Sequence, residues 1–282
     1  MRWLLALLFV AFQAQAGERY FDSGGVRIRY VEQGAGAPVV LVHGFTATIE
    51  SSWIATGVLP AIARGHRVIA LDLRGHGASG KPREADAYQD LALDVIRLLD
   101  HLGIERAHAV GYSLGGIILC KLLTTHPERF SRVVLGGAAY RRGRSAASDR
   151  AADAAAAEIE SGLYRSLLVS TAPSDEAPLA EDAIVRRSKE ISLKSDLRAH
   201  AALMRARRAL LVSDAEIAAI RVPTLALVGG ADPTLPRVEA MRRRWPGLEV
   251  RVVPGATHPT VHERGLLRRP EFVAAVRAWI AK

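Results

Sequence analysis

A series of short, almost wholly apolar runs sets the pattern of this chain. They occupy residues 38–42, 67–73, 107–110, 132–135, 223–228 and 249–253, and each gives way within two residues to glycine. Runs of this length, apolar at successive positions, suit strands buried on both faces of a mainly parallel sheet. Residues 26–32 alternate apolar and polar, as a half-buried strand does. Helical patterns fill the gaps. Residues 88–102 carry Leu91, Val95, Leu98, Leu99 and Leu102 on one face, and residues 114–125, 236–245 and 270–280 read similarly. Strands alternating with helices predict a doubly wound α/β domain.

The alternation stops between residues 140 and 222. That stretch is rich in Ala, Arg and Glu, reads as several helices, and is too long for a plain loop in a compact domain. It is expected to be a helical cap, with a mobile leading edge at 141–150. The core is then built from residues 17–139 and 223–282.

Gly111-Tyr112-Ser113-Leu114-Gly115 fits G-x-S-x-G. It follows an apolar strand and opens a helix, the setting the motif requires. A sharp turn there lifts the Ser113 hydroxyl above the sheet, and the helix N-terminus favours developing negative charge. A serine hydroxyl is a weak nucleophile without a base. His258 stands just after the last apolar run, at the edge where open α/β sheets form their sites. His262, four residues on, is the competitor. His66, His101, His126 and His200 read as surface or packing residues. Asp232, in Gly229-Gly230-Ala231-Asp232-Pro233, can orient the base, although a structural N-cap is its alternative role. An acid after residues 132–135 is not available, because Gly136-Gly137-Ala138-Ala139 follows. Two backbone N–H groups must face the oxyanion: that of Leu114 and, from His43-Gly44-Phe45, that of Phe45. His43 then serves as scaffold beneath the hole.

Several of these segments together resemble the α/β-hydrolase superfamily. They are Val39-Val40-Leu41-Val42-His43-Gly44-Phe45, Asp72-Leu73-Arg74-Gly75-His76-Gly77-Ala78-Ser79, residues 111–116, residues 228–233 and residues 254–258. The resemblance covers nearly all of the chain except the cap. It implies an eight-stranded, mostly parallel sheet with flanking helices, a variable helical lid and no cofactor. Residues 72–79 would be a structural turn. Relatives that open epoxides or remove halide carry a carboxylate nucleophile, whereas this chain has Ser113.

Composition narrows the partners. With 282 residues, 49% of them hydrophobic, the chain can bury one large core. The net charge of +9 could attract anionic surfaces. The arginines, however, are scattered, with small clusters at 141–144, 205–208 and 242–244 and no interleaved aromatics. They read as solvated helix faces, and no nucleic-acid partner is expected. Metal-ligand spacings are absent. Cys120 is the only cysteine, so no internal disulfide can form, and it reads as a buried, inert thiol. Arg2, the apolar residues 3–12 and Ala14-Gln15-Ala16 fit a cleavable export signal over residues 1–16. Export to the periplasm or beyond is expected, with no membrane anchor after cleavage; an uncleaved anchor is the alternative.

The expected function is hydrolysis of a small carboxylic ester through an acyl-enzyme. Thioester, lactone, peptide or C–C cleavage and perhydrolysis use the same residues, and a binding protein that retains them is a third reading. Leu163, Tyr164, Leu167, Leu168, Leu203 and Met204 of the cap are candidates to line the acyl pocket.

Overall fold

Alternate residues of each central strand face opposite sides of one sheet, and helices cover both sides. The computed structural model describes residues 18–143, 145–259 and 262–282; the expected export signal lies outside them. The sheet is built from β1 (Arg19–Asp22), β2 (Arg27–Gln33), β3 (Pro38–Val42), β4 (Arg67–Leu71), β5 (Ala107–Tyr112) and β6 (Phe130–Gly136). A two-stranded ladder of β7 (Arg141–Arg142) and β8 (Leu211–Val212) stands apart, and β9 (Thr224–Gly229) and β10 (Leu248–Val253) complete the sheet. The eight strands lie in the order β1-β2-β4-β3-β5-β6-β9-β10. The pairs β1/β2 and β2/β4 are antiparallel, and every later pair is parallel.

The helices are α1 (Val58–Ile62), α2 (Leu93–His101), α3 (Leu114–Thr125), α4 (Ala146–Glu160), α5 (Arg165–Thr171), α6 (Glu181–Ser192), α7 (Leu197–Ala206), α8 (Asp214–Ala219), α9 (Leu235–Arg244) and α10 (Pro270–Ile280). Val40, Val42, Ile69, Leu71 and Val228 pack in one layer with α2, α3, α8 and α9. Val39, Leu41, Val68, Ala70 and Leu227 pack in the other with α1 and α10. The two-residue side-chain period of a strand divides the apolar runs in this way, which is why they had to be apolar throughout. Cys120 sits fully buried in the first layer, and burial pushes its thiol up to about 12.

The strand expected at 67–73 stops at Leu71. Asp72 leaves the sheet and accepts hydrogen bonds from Ile49 N, Ala78 N and Arg29 Nη1 at 2.9–3.0 Å, so residues 72–79 form a structural turn.

Between β6 and β9 the chain leaves the sheet and builds α4–α7. The leading edge expected to be mobile contains β7 and the start of α4. Arg141 and Arg142 pair with Leu211 and Val212, and Ser145 caps α4 through a reciprocal bond with Ser148. Such a cap stabilises a helix by about 1 kcal/mol. Ile217 of α8 is buried in the main core, as are Ala202 and Leu203 of α7. Among the described residues no helix is long and apolar enough to cross a membrane.

Candidate active site

Strand β3 lies between β4 and β5, where the strand order reverses, and crevices form at the carboxyl ends of strands around such a point. The loops after β3, β5, β9 and β10 carry Phe45, Ser113, Asp232 and His258 respectively. Ser113 has φ +50° and ψ −113°, a strained conformation for a residue with a side chain, costing about 1–3 kcal/mol. Glycines make the turn possible. A Cβ on Gly115 would lie 2.0 Å from Val42 O, and one on Gly111 would lie 2.5 Å from Gly115 O. Helix α3 can therefore press against β3 and β5 while holding the serine at its N-terminus.

The three side chains form one hydrogen-bonded line. His258 Nδ1 lies 2.9 Å from Asp232 Oδ2, and His258 Nε2 lies 3.0 Å from Ser113 Oγ. A carboxylate can only accept, so Nδ1 carries the proton and Nε2 is left to accept from the serine. Asp232 is held in turn by Thr234, whose N–H and hydroxyl donate to Oδ1 at 2.8 and 2.7 Å. Burial pushes the Asp232 carboxyl up, but the bonds from His258 and Thr234 outweigh it and keep the acid below the ordinary carboxylate range. It is thus ionised where a histidine base works. His262 takes no part: its Nε2 lies 3.6 Å from Glu176.

Phe45 and Leu114 line the same cavity as Ser113. Among the described residues neither backbone N–H has an acceptor. The adjacent Thr46 N–H, by contrast, is taken up by His76 Nε2 at 3.3 Å. His43 is wholly buried, accepts from Leu73 N at 3.0 Å and donates Nδ1–H to Gly44 O at 2.7 Å, the scaffold role expected of it. Among the described residues no group of three or more His, Cys, Asp and Glu side chains could hold a metal.

A sequence profile of the alpha/beta hydrolase fold matches residues 37–264. The chain belongs to the α/β-hydrolase fold family. Among curated relatives it is 32% identical over 272 residues to a dihydrolipoyllysine-residue acetyltransferase component of an acetoin cleaving system from Pseudomonas putida, covering 91% of this chain and 68% of that one. It is 41% identical over 121 residues to epoxide hydrolase A of Mycobacterium tuberculosis, covering 41% of this chain and 37% of that protein. Among solved structures, a meta-cleavage product hydrolase from Pseudomonas fluorescens superposes with a TM-score of 0.69 at 27% identity, over 94% of this chain and 98% of the other.

In this α/β hydrolase residues of α4, α5 and α7 line a partly open cavity of about 200 Å3 beside Ser113. Of the candidates named from the sequence, Tyr164, Leu167, Leu203 and Met204 line it. Leu163 and Leu168 do not. The face of α5 turned to the cavity carries Leu167, Ser170 and Thr171, three and four residues apart. Leu168, one residue round the helix, packs instead into a small cap core with Ile159, Tyr164 and Ala201, and Leu163 precedes the helix.

Three contributions were not visible in the sequence. Thr234 fixes the acid, and the pattern Asp232-Pro233-Thr234 is a turn signal that could have suggested it. Gly137, with φ +54°, leaves the space occupied by the acid and base, since a Cβ there would lie 3.1 Å from both Asp232 Oδ2 and His258 Nδ1. The third is a buried ring cluster beside the oxyanion loop. His200, read from sequence as a surface or packing residue, is almost fully buried. Its ring centroid is 4.8 Å from Phe45 and 4.5 Å from His76, and its Nδ1 meets Tyr164 Oη at 2.9 Å.

Burial holds His76 well below its ordinary pKa, with the neighbouring His200 and His43 acting the same way. Burial likewise lowers His200 to about 4, although Asp196 acts in the opposite sense. Both rings are therefore neutral in the native state and bind protons more readily once unfolded. Stability contributed by this difference is present above about pH 6.5 and is lost as pH falls toward about 4. The melting temperature is expected to decline across that window, and His200→Gln should flatten the decline. A wild-type melting temperature level from pH 6.5 to 4 would contradict this account.

Proposed function

We propose that this α/β hydrolase cleaves a carboxylic ester of a small molecule through an acyl-enzyme on Ser113. The line Asp232–His258–Ser113, facing a roofed cavity with two free backbone donors, is the observation that carries the reading. His258 takes the Ser113 proton as Oγ attacks the ester carbonyl, and Asp232 stabilises the imidazolium. Phe45 N and Leu114 N stabilise the oxyanion, a contribution of about 100- to 1,000-fold in rate per donor. His258 then protonates the departing alcohol, and a water it activates releases the acid. Ser113 at the nucleophile position argues against the route of the epoxide-opening relatives, which use a carboxylate there. Export of the protein belongs to the same proposal and rests on Arg2, the apolar residues 3–12 and Ala14-Gln15-Ala16.

A second reading, C–C bond hydrolysis, draws support from the similarity to the meta-cleavage product hydrolase, and uses the same line of residues. The test is a p-nitrophenyl ester series of increasing acyl length, with rapid mixing and intact-mass detection. The expected result is a burst of nitrophenol and an acyl adduct on Ser113. Leu167→Ala and Met204→Ala, which enlarge the cavity, should shift the preferred acyl length. Failure to turn over any ester of the series would overturn the ester reading.

A further inference from the structure

Three arginines in the wall of the active-site cavity take no part in ester chemistry. Arg141 comes from β7, Arg207 directly follows α7, and Arg237 lies in α9, yet all three line the cavity that holds Ser113 and His258. The same three line a neighbouring cavity of about 280 Å3, so they stand where the two spaces meet. Among the described residues each cavity has a single acidic side chain in its lining, Glu158 in the first and Asp149 in the second. Glu158 already accepts a hydrogen bond from Ser166 N at 3.0 Å.

The sequence suggested solvated helix faces for the clusters at 141–144 and 205–208. That holds for Arg142 and Arg208, which are exposed, but not for Arg141 and Arg207, which turn inward. Among the described residues no ion pair links Arg141, Arg207 or Arg237 to a carboxylate. Arg207 donates only to Met204 Sδ at 3.3 Å and to Ser148 O at 3.4 Å, and feels Asp149 and Asp153 from a distance. Arg141 Nε is buried with no acceptor. Burial, with the like charges of Arg207 and Arg237 nearby, pulls the Arg141 guanidinium down to about 10. Withdrawing a guanidinium from water without a partner is costly, and gathering like charges adds to the cost. An anion entering the cavity removes both penalties, and the guanidinium fork matches a planar carboxylate.

We propose that Arg141, Arg207 and Arg237 form an anion subsite, and that the substrate is an ester whose acyl group carries a second, ionised carboxylate. This rests on the ester reading above. The acyl carbon lies at Ser113 Oγ and the free carboxylate reaches the arginines. Attack breaks the bond to the alcohol oxygen, which leaves with the proton passed through His258. Water then cleaves the acyl-enzyme, and the product is a dicarboxylic acid.

The test compares mono-p-nitrophenyl glutarate with p-nitrophenyl pentanoate, which have the same acyl length and differ in the terminal carboxylate. Wild-type protein is expected to favour the glutarate in kcat/KM by about tenfold or more, the scale of one charge-assisted hydrogen bond. Arg141→Gln and Arg207→Gln should each lower that ratio about tenfold, mainly through KM. Arg237 is exposed, so Arg237→Gln applies the same test with little burden on folding. Arg64→Gln, an exposed change just before β4 at the amino edge of the sheet, should leave the ratio unaltered. A readout independent of turnover uses free glutarate, with pentanamide as the neutral control. Glutarate should raise the melting temperature of the Ser113→Ala protein, and Arg237→Gln in that background should remove the rise. Pentanoate cleaved as well as glutarate, with no stabilisation by glutarate, overturns the anion subsite and leaves the ester reading standing. Arginine-dependent stabilisation without cleavage of either ester has the opposite meaning: the subsite stands and the ester reading falls.

Discussion

Ser113→Ala is expected to abolish ester turnover while the protein stays folded. In serine hydrolases whose residues act as a unit, loss of the nucleophile costs on the order of a million-fold in kcat. The same scale applies here because, among the described residues, Ser113 Oγ is the hydroxyl hydrogen-bonded to His258 Nε2. The fold should tolerate the change. Alanine has the same Cβ as serine, and the positive φ at residue 113 is enforced by close contacts of Gly111 and Gly115 that remain in place. The measurement pairs ester turnover with a thermal melt. A folded Ser113→Ala protein that turned over ester at the parent rate would remove the serine from the mechanism.

His258→Ala should be nearly as severe, at least about 10,000-fold in kcat, whereas His262→Ala should leave most activity. The two histidines are four residues apart in one loop, but only the first bridges Asp232 and Ser113. His262 sits near Glu176, beside the ion pair by which Arg264 holds Asp175 of the cap at 2.8 Å. Removing it perturbs a surface cluster, where such pairs contribute about 0–1 kcal/mol. Kinetics of both variants on one short ester decide the matter. An inactive His262→Ala protein beside an active His258→Ala protein would mean that the base had been misassigned.

The elements most legible in the sequence are those whose signals are local. Helix α3 runs over Leu114–Thr125 and α10 over Pro270–Ile280, the ranges read from their patterns, because a glycine turn and an N-terminal proline mark where they begin. Ser113, Asp232 and His258 were legible for the same reason: each stands within five residues of the end of an apolar run that reads as a strand. Strand β1 was not. Its four residues, Arg19–Asp22, carry no periodic signal and are ordered by antiparallel pairing with β2. Helix α1 is only five residues long and has too few turns to show a face. Arg141 and Arg207 departed from the solvated-face reading of their clusters because a cluster of charge does not reveal which of its members a neighbouring element will turn inward. Gly137 and His76 were likewise out of reach, since each serves residues brought to it by distant parts of the chain.

The ladder of β7 and β8 has a consequence for how this molecule can be altered. The chain leaves for the cap at Arg142 and returns at Leu211 on a neighbouring strand, with Arg141 and Arg142 in register with Leu211 and Val212. Adjacent strands lie about 4.8 Å apart. The roof therefore enters and leaves through a single narrow port, and its seat on the core is fixed by His200 against His76 and Phe45 and by Asp175 paired with Arg264. A helical segment from another member of the family, trimmed so that its ends stand at strand spacing, could be grafted at this port without recutting the sheet. Such a chimaera would keep Ser113, Asp232 and His258, all of which lie outside the segment between β7 and β8.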